Sequence, residues 1–143
     1  MKILVFTLMF VLVSGCAFSD EAFVEINGVN LSVQEAGEGE AIIFLHGKGY
    51  SKEYMNSLFN HYKDKYHVFS YDSRGHGKSD KPESFTLEDD ADDLAGLIAF
   101  HNLSKPVIIG FSMGSYITLT AAEKYPDLFS KIVLIGTRCC LHE

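Results

Sequence analysis

Gly110-Phe111-Ser112-Met113-Gly114 places a serine between two glycines, each two residues away. The pattern does chemistry only where it ends a strand and opens a helix, because that sharp turn holds the hydroxyl clear of the sheet. Both conditions are met in the sequence. The apolar run Pro106-Val107-Ile108-Ile109 leads directly into it, and a helical stretch begins at Met113. Side chains at the two glycine positions would collide with the turn. A helix N-terminus also brings backbone N–H groups and a positive dipole end to the place where negative charge develops. The competing reading is a glycine-rich phosphate turn, but neither G-x-G-x-x-G nor the P-loop pattern is present. The chemistry indicated is nucleophilic attack by the Ser112 hydroxyl.

The elements that must position this serine follow from patterning. Phe23 to Ile26, the turn Asn27-Gly28, and the alternating stretch Val29 to Gln34 predict a hairpin. Ala41 to Leu45, His67 to Tyr71, Pro106 to Gly110 and Lys131 to Ile135 predict strands. The apolar runs among them are continuous, as in strands buried on both faces. Lys52 to Tyr62, Thr86 to His101 and Met113 to Lys124 predict helices. In the second of these, Leu87, Ala91, Leu94, Ala95 and Ile98 recur at helical spacing, and Thr86 with Asp89 makes a capping-box-like start. Asp89, Asp90, Asp92 and Asp93 are expected to favour the helix dipole and face water. Strands alternating with helices imply an α/β fold, a mostly parallel sheet with flanking helices led by an antiparallel hairpin.

Further landmarks fall in a recognisable order. Leu45-His46-Gly47-Lys48-Gly49 follows the third strand, and Asp72, Arg74, Gly75, Gly77 and Ser79 form an Asp-x-Arg-Gly-x-Gly-x-Ser loop after the fourth. The serine turn follows the fifth, and Ala121-Ala122-Glu123-Lys124-Tyr125-Pro126 closes the next helix. From Phe23 to Gly136 the chain resembles the α/β-hydrolase family, strands 1 to 6. The resemblance implies that Ser112 is an acyl-accepting nucleophile and that the backbone N–H groups of Lys48 and Met113 form an oxyanion hole. It implies a small acyl substrate, an ester or lactone, with no cofactor or metal. Lysine is unusual at position 48, and a cation at the mouth would favour anionic substrates. His46 and His76 are expected to orient loops by hydrogen bonds, and His61, His67 and His101 to carry no chemistry. Dehalogenases and epoxide hydrolases of the family have aspartate in the turn, so Ser112 argues against those reactions.

In this family the triad runs serine, acid, histidine along the chain. After Ser112 the sequence offers Glu123, Asp127, His142 and Glu143. Helical rise is about 1.5 Å per residue, which carries Glu123 and Asp127 away from the hydroxyl, and His142 and Glu143 lie in a short tail. The expectation is therefore a truncated α/β-hydrolase domain over 23–143 that lacks the acid and the histidine. Lys131 to Ile135 would then form an apolar sheet edge. The alternatives are an inactive remnant or non-catalytic lipoprotein binding module, and a cofactor-free relative with lyase or peroxidase chemistry.

The start of the chain is a different kind of segment. Lys2, the apolar run Ile3 to Val13, then Ser14-Gly15-Cys16 predict a signal peptide over 1–15, short of the about 20 apolar residues of a membrane span. Leu12-Val13-Ser14-Gly15-Cys16 resembles a bacterial lipobox, with Cys16 the lipidation site, 16–22 a linker, and the product exported and held to a membrane by its acyl chains. In Gram-negative lipoproteins Ala17 after the cysteine resembles an outer-membrane address. The adjacent Cys139 and Cys140 predict no disulfide, because such a bridge is strained. A net charge of −7 supplies no basic stripe for nucleic acid.

Overall fold

Asn27 and Gly28 both adopt positive φ, 48° and 77°, which is the mirror-image turn that a tight hairpin needs. It joins β1 (Asp20–Ile26) to β2 (Val29–Ala36), paired antiparallel with Phe23 opposite Ser32. The computed structural model describes residues 20–137. The signal segment with Cys16 and the tail with Cys139, Cys140, His142 and Glu143 lie outside them.

The remaining elements are β3 (Ala41–Leu45), a 3-10 turn (Lys52–Met55), α1 (Asn56–Tyr62), β4 (His67–Tyr71), α2 (Leu87–Phe100), β5 (Val107–Phe111), α3 (Met113–Lys124) and β6 (Lys131–Ile135). The helix expected over Lys52 to Tyr62 is thus split, its first turn wound as 3-10. The sheet order is β1-β2-β4-β3-β5-β6. β2 runs antiparallel to β4, whereas β3, β4, β5 and β6 are mutually parallel. This is the mostly parallel α/β sheet led by a hairpin that the sequence predicts.

Alternation along β3 explains its continuous apolar run. Ile43 and Leu45 enter a core with Leu94, Leu97, Ile108 and Ile117, under α2 and α3. Ile42 and Phe44 enter a second core with Met55, Phe59 and Val68, under α1. A strand covered on both faces has no polar side to display. Each fully buried side chain of this size stabilises the fold by about 1.5–3 kcal/mol.

β6 is different. Ile132, Val133 and Ile135 are 39%, 45% and 40% exposed. Among the described residues only β5 pairs with β6, so it is an open apolar edge and not a buried strand. No helix among the described residues is long and apolar enough to cross a membrane.

Candidate active site

Ser112 sits between β5 and α3 with φ 49° and ψ −109°, a backbone geometry that side chains rarely adopt. The surroundings hold it there. Its N–H donates to the Ile135 carbonyl (2.8 Å), and its own carbonyl accepts from the Ser115 N–H (2.9 Å). The Ser115 hydroxyl donates to the Gly110 carbonyl at 2.7 Å, closing the turn from inside. The two glycines are required by close approach. A Cβ on Gly110 would lie 2.5 Å from the Gly114 carbonyl oxygen, and one on Gly114 would lie 2.6 Å from the Leu45 carbonyl oxygen.

The loop after β3 packs directly on this turn. A Cβ on Gly47 would lie 3.3 Å from the Ser112 Cβ and 3.0 Å from the Phe111 ring, and the His46 carbonyl accepts from the Gly114 N–H at 3.1 Å. In the first turn of α3 the N–H groups of Gly114, Ser115 and Tyr116 all donate to backbone carbonyls. The N–H groups of Met113 and Lys48 have no backbone acceptor among the described residues. These are the donors expected to form an oxyanion hole. Helix N-termini leave such donors free by construction.

The two histidines nearest the turn are engaged in holding loops. The Ser73 N–H donates to His46 Nε2 at 3.1 Å, so Nδ1 carries the proton and donates to the Gly47 carbonyl at 2.8 Å. Burial holds the His46 pKa below its usual value, with the bond to Gly47 opposing. With both nitrogens occupied, the ring cannot serve Ser112 as a base. His76 Nδ1 donates to the Arg74 carbonyl at 3.0 Å. Elsewhere, His67 Nε2 lies 2.6 Å from Glu35 on the sheet, and His61 falls in α1. Glu123 and Asp127 are exposed at and beyond the far end of α3.

The loop from Asp72 to Ser79 is built around a buried carboxylate. Asp72 accepts from the N–H groups of Lys52 (2.6 Å) and Lys78 (2.9 Å), and a Cβ on Gly77 would lie 2.2 Å from its carboxyl oxygen. The Lys52 ammonium is itself buried against Glu21 (2.9 Å), Ser32 (2.9 Å) and Asp72 (3.2 Å). Burial alone would lower its pKa, but the Glu21 and Asp72 carboxylates reverse that and hold it raised. The Ser79 hydroxyl donates to the Asp72 carbonyl (2.6 Å) and accepts from the Ser32 N–H (2.8 Å), tying the loop to β2.

The acidic start of α2 departs from expectation. Asp89 caps the helix: its N–H donates to the Thr86 hydroxyl (3.2 Å) and its carboxyl accepts from the Thr86 N–H (2.8 Å). Asp92 pairs with Lys124 and with the Tyr125 hydroxyl (2.6 Å). Asp90 and Asp93, expected in water, are buried. Asp93 takes the Arg74 guanidinium in a bidentate pair, Nε to Oδ2 at 2.7 Å and Nη2 to Oδ1 at 2.6 Å. The Asp90 carboxyl has no hydrogen-bond partner among the described residues. Burial, reinforced by Asp93, pushes its pKa up to about 7. A sequence signal existed: Asp90, Leu94 and Leu97 share the i, i+4, i+7 face that points inward. Asp90 also lines a cavity of about 340 Å³ with Lys48, His76, Phe85, Thr86, Leu87 and Met113.

A half-buried serine strained at a strand-to-helix turn on a mostly parallel sheet defines a scaffold of the nucleophile-elbow kind. A family model described as alpha/beta hydrolase fold matches residues 40–143. The chain belongs to the α/β-hydrolase family. It is similar to 2-(acetamidomethylene)succinate hydrolase of Mesorhizobium japonicum, 38% identical over 113 residues, covering 78% of this chain and 41% of that one. It is similar also to serine hydrolase BPHL of Homo sapiens, 37% identical over 123 residues, covering 80% and 42%. Among solved structures, epoxide hydrolase A from Mycobacterium thermoresistibile superposes with a TM-score of 0.78 at 30% identity, covering 82% of this chain and 39% of that one. The chain spans about two fifths of the length of these relatives. The three relatives named here are hydrolases.

Proposed function

We propose that the chain carries the nucleophile half of a serine hydrolase that cleaves a small ester, lactone or related acyl compound. What supports this reading is the strained backbone of half-buried Ser112 at the strand-to-helix turn, together with Met113 and Lys48 N–H groups that have no backbone acceptor among the described residues. Ser112 Oγ forms a bond to the acyl carbon, and the carbonyl electron pair moves onto oxygen, where the two N–H groups receive it. Collapse of that intermediate breaks the bond to the leaving alcohol and leaves an acyl-serine, which water hydrolyses. The proton released by Oγ passes to a base and then to the leaving oxygen. His46 is excluded from that role because both of its ring nitrogens are already bonded. A serine here, in place of aspartate, favours acyl transfer over epoxide opening. Export and anchoring through a lipidated Cys16 form part of the same proposal.

A fluorophosphonate probe tests it. The full chain is expected to be labelled at Ser112, and the Ser112→Ala variant not at all. A folded chain that never labels would overturn the reading and favour a non-catalytic binding module.

A further inference from the structure

The cavity of about 340 Å³ beside Ser112 has one unusual wall. Phe85, Leu87 and Met113 make it apolar, while Lys48 and Met113 are the residues whose backbone N–H groups flank the serine. The cavity thus shares Met113, the residue after Ser112, and Lys48 of the loop that packs on the serine turn. The remaining wall carries the Asp90 carboxyl, from a residue only 3% exposed.

Nothing in the described chain satisfies that carboxyl. Arg74 is the obvious counterion, but its Nε and Nη2 bond to Asp93, and its charge only partly offsets the burial of Asp90. From α2 it faces Asp93 and Asp89, both negative. From β4 the buried Tyr71 hydroxyl, without a partner among the described residues, feels the Asp90 charge. Across the cavity stand Lys48, whose exposed side chain makes no ion pair with it, and His76. A buried carboxyl left unpaired is costly, and a matching cation removes that cost. An isolated carboxylate in an apolar cavity selects for a donor that brings positive charge.

We propose that this cavity is the acyl-side subsite of the hydrolase site and that Asp90 receives an ammonium group carried on the substrate's acyl chain. The inference rests on the serine-hydrolase reading for the position of the acyl carbon. The substrate class is thereby an amino-substituted acyl ester or lactone, small enough for a cavity of this size. Apolar walls take the methylene groups and Asp90 takes the charged end. Lys48 at the solvent-exposed mouth is screened and does not compete.

The test reads binding without turnover. The full chain is titrated with n-butylammonium and with the neutral isostere 1-butanol, following the Asp90 side-chain carboxyl by carbon NMR. The ammonium is expected to shift the Asp90 resonance and to bind at least tenfold more tightly than the alcohol at pH 8. That advantage should be lost at pH 5, where Asp90 is protonated. Both Asp90→Asn and Asp90→Leu should lose it while keeping the native fold. Equal affinity for the two ligands, or an ammonium preference that survives in either variant, overturns the subsite. Failure of Ser112 to label with a fluorophosphonate strikes the hydrolase reading instead, because the NMR titration does not depend on acylation. Where labelling occurs, n-butylammonium should slow it at least threefold in the parent chain and not in the Asp90 variants.

Discussion

Arg74 clasps Asp93 with two hydrogen bonds of 2.7 and 2.6 Å and leaves Asp90, one helical turn earlier, with no hydrogen bond or ion pair among the described residues. Two carboxyls on the inner face of one helix therefore meet opposite electrostatic fates. The first prediction concerns the pair. Arg74→Met strands a buried carboxylate and should destabilise the fold by about 3–5 kcal/mol. Adding Asp93→Leu should restore most of that loss. Urea denaturation of the single and double variants gives the coupling, and additive losses would contradict the pairing.

Asp90 makes stability depend on pH in the opposite sense from most carboxylates. Its folded pKa is raised from 3.8 to about 7, so the folded state binds a proton that the unfolded state has released. Stability is therefore full below about pH 4 and falls as pH rises to about 7. The loss is at most about 4 kcal/mol. Asp90→Asn should remove this slope and be more stable than the parent at pH 8. Denaturation midpoints at pH 5 and pH 8 decide it, and parallel curves for parent and variant would refute it.

Ser112 is strained for position and not for stability. Ser112→Gly should stabilise the fold by about 1 kcal/mol, because glycine enters this backbone geometry freely. Ser112→Ala should not, since alanine meets the same strain. Neither variant should react with a fluorophosphonate. Thermal unfolding separates the two, and equal midpoints would show that the turn carries no strain.

The turn also has no room for a methyl group at its glycines. Gly114→Ala places Cβ 2.6 Å from the Leu45 carbonyl oxygen, a backbone atom that cannot swing aside. A loss of about 1–3 kcal/mol is expected, together with slower fluorophosphonate labelling. Gly28→Ala has open space around its Cβ and should cost only the strain of positive φ. Comparing the two midpoints checks which constraint is steric.

The lipid anchor gives a prediction independent of the fold. Produced with its leader in a bacterial host, the chain should partition into the membrane fraction, with a mass increment at Cys16. Cys16→Ser should release it to the soluble fraction. A soluble parent protein would remove the anchor from the proposal.

The local features were legible in the chain. The strands β3, β4 and β6 run over the residues that patterning predicts, because an apolar run or an alternation is a property of neighbours. The serine turn was legible for the same reason, since its glycines lie two residues away and their steric need is local. Lys52 to Tyr62 was partly legible: the stretch is helical, but its first turn is 3-10, with Met55 and Phe59 packed beneath the sheet.

Contacts across the fold were not legible in that way. By residue type alone, Asp90 and Asp93 read as solvated acids on a helix start. Asp93 is inside because Arg74, brought alongside by the loop after β4, supplies a matching guanidinium. Lys52 is inside because Glu21, 31 residues away on the edge strand, and Asp72 meet its ammonium. Thus the sequence by itself determined the order of elements and the serine that the sheet presents. Only the tertiary structure decided which charges are paired, which carboxyl is left unpaired beside that serine, and which backbone donors remain free. Patterning and turn sterics act between neighbours in the chain, whereas a charge changes meaning with whatever distant group the fold sets against it.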